Sequence, residues 1–167
     1  LIKKGHKFVS ETDTEVAAHL IEESLKKFKG KISVETFKNA VQKTLAKLKG
    51  RYAFLVMCAD CPALIAARRG SPLIVGKGFD GEYFIASDIP AFLEYTNRVM
   101  YLDDDEMVVI DGGHEFINLK TGHKIEKRLI EIKWKAQQAE KGAFPHFMIK
   151  EITEQKETIH RALNQDE

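Results

Sequence analysis

The sequence predicts an α+β fold in which helices pack on largely antiparallel sheet, and three observations carry that prediction. Apolar residues recur at helical spacing near both ends of the chain. Short apolar runs bounded by Gly, Asp, Asn or Pro fill the middle. Helices and strands are thus segregated rather than alternating, and most gaps between strands are too short for parallel crossovers.

The first helix is read from Val16, Ala17, Leu20, Ile21, Leu25 and Phe28, with Gly30 past its end as a stop signal. Thr12 and Glu15 have the spacing of a capping box at its start. The second helix is read from Val34, Phe37, Val41, Leu45 and Leu48. Ser33 caps its start and Gly50 closes it. The period then changes. Residues 52–57 are apolar on both faces and read as a central strand. Asp60, Cys61 and Pro62 supply a turn, and 63–67 is the antiparallel partner. Further strands are predicted at 73–75, 82–86, 98–101, 107–110 and 115–117, with one short helix at 89–95. Residues 128–134 alternate as a half-exposed strand, with Ile130, Ile132 and Trp134 on one face. The last helix is introduced by Phe144 and Pro145, proline being well placed at a first helical position. Met148, Ile152, Ile159 and Leu163 share one of its faces.

Composition narrows the function. The 167 residues correspond to about one domain, large enough for a core without disulfides or metal. Hydrophobic residues make up 44% and charged residues 31%, and the formal net charge is +1. That balance argues against nucleic-acid or membrane-surface binding by bulk charge. No apolar run is long enough to span a membrane. No secretory signal is visible, and two cysteines are too few for a disulfide scaffold, so a reducing cytoplasmic setting fits best. The start at Leu1 has two readings, a processed or trimmed chain and a piece of a longer protein; composition does not choose between them.

Several residue groups are candidate sites. Cys58 and Cys61 have CxxC spacing, but they flank a turn between strands and no second pair completes a zinc site. The histidines at 6, 19, 114, 123, 146 and 160 form no ligand motif, so no metal and no cofactor is expected. Gly70, Gly76, Gly78 and Gly81 lack the spacing of a phosphate-binding loop and read as turn chemistry. Arg68 and Arg69 could meet an anion, although a strand-end arginine pair is more often solvated or ion-paired. The polar stretch from Ser10 to Glu15 enters a helix. Physics alone reads it as a cap; the sharper reading is a carboxylate that binds an ammonium group.

Five collinear blocks decide the matter further. They are Gly5–Val16 with Ala18–Ile21; Gly50–Phe54; Ala67–Leu73; Phe84–Asp88 with Tyr95 and Thr96; and His146–Ile152 with Glu154 and Gln155. Together they resemble the glutaminase domain of the glutamine–fructose-6-phosphate aminotransferase (isomerising), or glucosamine-6-phosphate synthase, family. The amidophosphoribosyltransferase glutaminase is similar in broad fold, but the last block favours the aminotransferase. Lys156 departs from the proline the family often has there, which lets the last helix run on.

The resemblance implies an N-terminal-nucleophile hydrolase-like αββα sandwich with its N-terminal part missing. It implies hydrolysis of L-glutamine to glutamate and ammonia, with the ammonia passed to a fructose 6-phosphate site in an absent isomerase domain. A homo-oligomeric parent enzyme with no nucleic-acid or membrane partner is implied too. The family's N-terminal cysteine nucleophile, carboxylate-gripping arginine and Asn-Gly oxyanion motif all precede the matched region. Catalytic residues are therefore expected to be absent, since Cys58 and Cys61 carry no free α-amino group. Asp13 matches the aspartate that binds the α-ammonium of glutamine. Residues 1–162 are assigned to a partial glutaminase domain and 163–167 to the start of a linker. The alternative is a stand-alone, non-catalytic module of the same fold that binds an amino acid or a partner.

Overall fold

In the computed structural model, which describes residues 1–133 and 142–163, Ser33 caps its helix as its position predicts. Its Oγ accepts the N–H of Thr36 at 3.2 Å, and helix α2 runs over Val34–Leu45. Phe37, Ala40, Val41 and Leu45 step along one buried side. Helix α1 spans Glu15–Leu25 and buries Ala17 and Ile21. Phe28 lies beyond its end and is half exposed, so the apolar stripe is one turn shorter than the sequence periodicity implies.

Among the described residues nine strands follow: β1 (Tyr52–Cys58), β2 (Cys61–Arg69), β3 (Ile74–Lys77), β4 (Tyr83–Ala86), β5 (Arg98–Tyr101), β6 (Glu106–Ile110), β7 (His114–Asn118), β8 (Lys124–Ile125) and β9 (Ile130–Glu131). They form one sheet in the order β1-β2-β6-β7-β8 and another in the order β4-β3-β5-β9, with every ladder antiparallel. The expected α+β class with largely antiparallel sheets is therefore observed. Strand alternation builds the layers. Ala63, Ile65 and Ala67 of β2, with Met107 and Val109 of β6, meet the helices. Ala66 and Val108 point the other way, against Val75 of β3 and Met100 of β5. Helices, first sheet and second sheet thus stack within Leu1–Ile132.

The strand region departs from the sequence expectations at four points. The 52–57 run is not a central strand: among the described residues β1 is an edge, paired with β2 alone. Its Tyr52, Phe54 and Val56 pack toward the helices, whereas Leu55 and Met57 are 51% and 80% exposed on the other face. A run apolar on both faces carries no information about how many neighbours a strand has. The turn after β1 is Ala59 and Asp60, and Cys61 and Pro62 already belong to β2. Pro62 is tolerated because the register shifts there, leaving it without an opposite partner. The predicted 89–95 helix is only a 3-10 turn at Ile89–Ala91, capped by Asp88. Gly76 is a strand residue rather than a turn residue; a Cβ on it would come within 2.9 Å of Phe92.

The second unit, Lys133–Glu167, contains helix α3 at Phe147–Leu163. Pro145 precedes its first residue by two positions instead of occupying it. The helix passes through Lys156 without interruption, as expected where no proline removes an N–H. Met148, Ile152, Ile159 and Leu163 are each more than half exposed. Trp134 and the 164–167 part of the expected linker lie outside the described residues.

The expected Thr12–Glu15 capping box does not form either. The residue before α1 is Thr14, which makes no side-chain cap. Glu15 reaches back further, accepting the N–H groups of Val9 at 2.9 Å and Ser10 at 2.8 Å and the Ser10 hydroxyl. Ser10 Oγ, then the two amides, hold the Glu15 carboxyl down at about 2. The same acidic residue at the same spacing thus ties down a loop rather than closing the helix end.

Two outcomes are expected. A folded-state pKa below the unfolded value stabilises above the unfolded value and is lost as pH falls through the folded one. Urea unfolding should therefore find Glu15→Gln less stable than the parent chain at neutral pH, with the difference closing as pH falls from 4.5 toward about 2. A difference independent of pH would show that charge is not what holds the loop. The exposed apolar face of an edge strand should also drive self-association. Light scattering behind size-exclusion should find larger species that Leu55→Lys with Met57→Lys disperses; a monomer at every concentration would contradict this.

Candidate functional site

The loop restrained by Glu15 carries Asp13 at the mouth of α1. The main-chain oxygen of Asp13 accepts the N–H of Val16 at 3.1 Å, which begins the helical turn. Its carboxylate is exposed and makes no hydrogen bond or ion pair with the described residues. The side chain is therefore not consumed by capping, the role that local physics favoured. Asp13 lines a cleft of about 320 Å³ together with Val16 and Ala17 of α1, Leu48, Arg51 and Tyr52. Lys49 and Arg51 line the same partly apolar cleft without pairing with Asp13, so one carboxylate there is left to accept a ligand's ammonium group.

A buried-edge charge cluster braces the far wall of this cleft. Arg69, at the end of β2, bonds Asp105, donates from Nη1 to the Leu48 carbonyl at 3.0 Å and lies over the Tyr52 ring at 5.3 Å. Lys120 reaches Asp105 at 2.7 Å. Lys120 and Arg69 together hold the Asp105 carboxyl below its usual range, and Asp105 in turn raises the Arg69 guanidinium. Asp105 takes a left-handed backbone conformation, φ 61°, to present its carboxylate there. Tyr52 is 7% exposed; burial raises its hydroxyl pKa, and that hydroxyl has no hydrogen-bond partner among the described residues. Arg68 is paired as well, with Asp104 at 2.7 Å and the Leu102 carbonyl at 3.0 Å. The arginine pair is thus structural, and it leaves no guanidinium aimed at an anion.

Cys58 and Cys61 face each other across the β1–β2 turn as free thiols. They border a larger groove of about 1,050 Å³ between α1 and that turn, whose lining is mainly aliphatic. Sequence spacing did not signal one grouping: the fold sets His6 against His19, Glu22 and Glu23 of α1. The available signal was the H-x-x-E-E run on a helix, which places His19, Glu22 and Glu23 on one face. Among the described residues no helix is long and apolar enough to cross a membrane.

Comparison with known proteins places this geometry. The family described as "Glutamine amidotransferase domain" matches residues 1–94. The glutamine–fructose-6-phosphate aminotransferase (isomerizing) of Methanocaldococcus jannaschii is 50% identical over 163 residues, covering 95% of this chain and 15% of that protein. The enzyme of the same name from Thermococcus kodakarensis is 48% identical over 166 residues, 98% of this chain and 26% of that one. The chain thus spans only 15% and 26% of these two relatives' lengths. Among solved structures, the glutamine phosphoribosylpyrophosphate amidotransferase from B. subtilis, complexed with ADP and GMP, superposes with a TM-score of 0.55 at 31% identity. It covers 72% of this chain and 25% of that one. These likenesses agree with the N-terminal-nucleophile hydrolase-like class that the sequence blocks implied, and with a family match over more than half its length the chain belongs to the glutamine amidotransferase domain family.

Proposed function

We propose that this chain is the glutamine-binding part of a glutaminase domain in a glutamine–fructose-6-phosphate aminotransferase. Residues 1–162 are that partial domain, and 163–167 open the connection to a sugar-isomerase domain. The parent enzyme hydrolyses L-glutamine to glutamate and ammonia, and the ammonia converts fructose 6-phosphate to glucosamine 6-phosphate. It works in the cytoplasm as a homo-oligomer, with neither nucleic acid nor membrane as partner. The observation that carries this reading is the unpaired Asp13 carboxylate over its cleft, in a chain half identical to such enzymes.

The role of Asp13 follows from its charge. A carboxylate accepts N–H donors from an ammonium through charge-assisted hydrogen bonds, which are shorter and stronger than neutral ones. That contact orients the substrate; it does not break the amide. Bond breaking needs a nucleophile with an adjacent base, and neither Cys58 nor Cys61 has an α-amino group to serve. The nucleophile comes from an upstream segment, whose strands would cover the free edge and exposed face of β1.

In the parent enzyme, Asp13→Ala should raise the glutamine KM by about 10- to 100-fold, the range expected for losing a hydrogen bond to a charged group. Asp13→Asn should fall between. Steady-state kinetics with glutamine as the varied substrate measures this, and an unchanged KM in Asp13→Ala would refute the assignment.

A further inference from the structure

The geometry points to a cation site on the flank of α1: His6 Nδ1, His19 Nδ1 and Glu22 Oε2 form a three-atom cradle for a divalent d-block ion of the Zn²⁺ class. The three atoms lie 2.9, 3.2 and 3.3 Å from one another. Donor atoms of a tetrahedral zinc site, with bonds of about 2.0–2.1 Å, are separated by about 3.3 Å. An ion about 1 Å above the plane of this triangle would sit about 2.0–2.1 Å from all three atoms, leaving the fourth position for water. Imidazole nitrogen with a carboxylate oxygen is a donor set that suits zinc.

The hydrogen bonding around the cradle is that of a supported ligand set. His6 Nε2 lies 2.8 Å from Glu23 Oε1, a carboxylate that can only accept. Nε2 therefore carries a hydrogen, and a neutral His6 turns the lone pair of Nδ1 toward the other two atoms. His19 Nε2 lies 3.4 Å from Glu15 Oε1, buried and without a hydrogen bond. A neutral His19 has one hydrogen for two faces. On Nδ1 it leaves a lone pair against Glu15; on Nε2 it leaves Nδ1, His6 Nδ1 and Glu22 Oε2 as three lone pairs facing one point. A cation at that point resolves the conflict, and each imidazole then has a carboxylate behind it, the arrangement common around zinc-bound histidine.

The remaining charges are compatible. Lys26 holds Glu22 by Oε1 at 2.9 Å, leaving Oε2 to the cradle. Lys4 binds Glu23 at 2.8 Å. The carboxylates of residues 15, 22 and 23 are thus opposed by two ammonium groups, so a divalent ion meets net negative surroundings. The His6 side chain is 2% exposed, and the Phe8 ring stands edge-on to His19 at 4.8 Å, which fixes both imidazoles. Glu22 is half exposed and borders the larger groove, giving the ion access from solvent. A bound ion would fasten the segment carrying His6 to α1, beside the loop that holds Asp13. This site stands independently of the glutamine assignment.

The test is Zn²⁺ titration of the full 167-residue chain by calorimetry, with thermal melting in Zn²⁺ and in chelator alongside. One ion per chain at micromolar affinity or tighter is expected, with a melting temperature that rises as Zn²⁺ saturates. Glu22→Gln and His19→Gln should each weaken binding by at least about tenfold, given that even outer partners of a metal site cost that much. Circular dichroism confirms that these variants fold, and His123→Gln, on a distant turn, should bind as the parent does. Absence of saturable binding would overturn the site, and so would Zn²⁺ binding that survives both substitutions in a folded chain.

Discussion

The Glu15 carboxylate takes the main-chain donors of Val9 and Ser10, and much of the N-terminal region depends on that contact. An extended segment beside a helix has N–H groups that must find acceptors. Glu15 supplies one acceptor group for two consecutive amides and a hydroxyl, so the segment lies along α1 instead of leaving it. Two results follow from one carboxylate. Residues upstream of the contact are held against the helix, setting His6 beside His19 and Glu23. Residues downstream are confined to a short loop, setting Asp13 at the cleft.

The cleft needs a second wall, and here hydrophobic and ionic packing combine. The helices rest on a sheet whose middle strands bury both faces, so α1 and α2 have little freedom to shift. Arg69 then ties the end of β2 to the carbonyl of Leu48 just past α2 and to Asp105 before β6. Each of these elements borders the cleft or holds a neighbour that does. The edge of β1 contrasts with this. Its inward face is packed against the helices, its outward face is bare, and the proposed upstream strands would lie there.

Local rules made some features legible and not others. The Ser33 cap and the β5 boundaries follow from single residues and short alternations, and both are observed as read. The Thr12–Glu15 spacing was legible as a motif but not as a bond, because Glu15 could satisfy either the helix end or the loop before it. Strand β1 was legible as a strand, yet its place at an edge depends on which other strands are present. The His6–His19 contact joins residues thirteen apart through a loop whose path only tertiary structure defines. Asp13 stands out only through its resemblance to a family position; spacing and charge alone point to a cap.

The most direct measurement is a crystal structure of the parent enzyme, with its nucleophile inactivated, bound to L-glutamine. The expected result is the α-ammonium group within hydrogen-bond distance of the Asp13 carboxylate, with the ligand in the cleft between α1 and Tyr52. Glutamine bound elsewhere, or bound there with its ammonium held by another residue while Asp13 faces solvent, would contradict the assigned site.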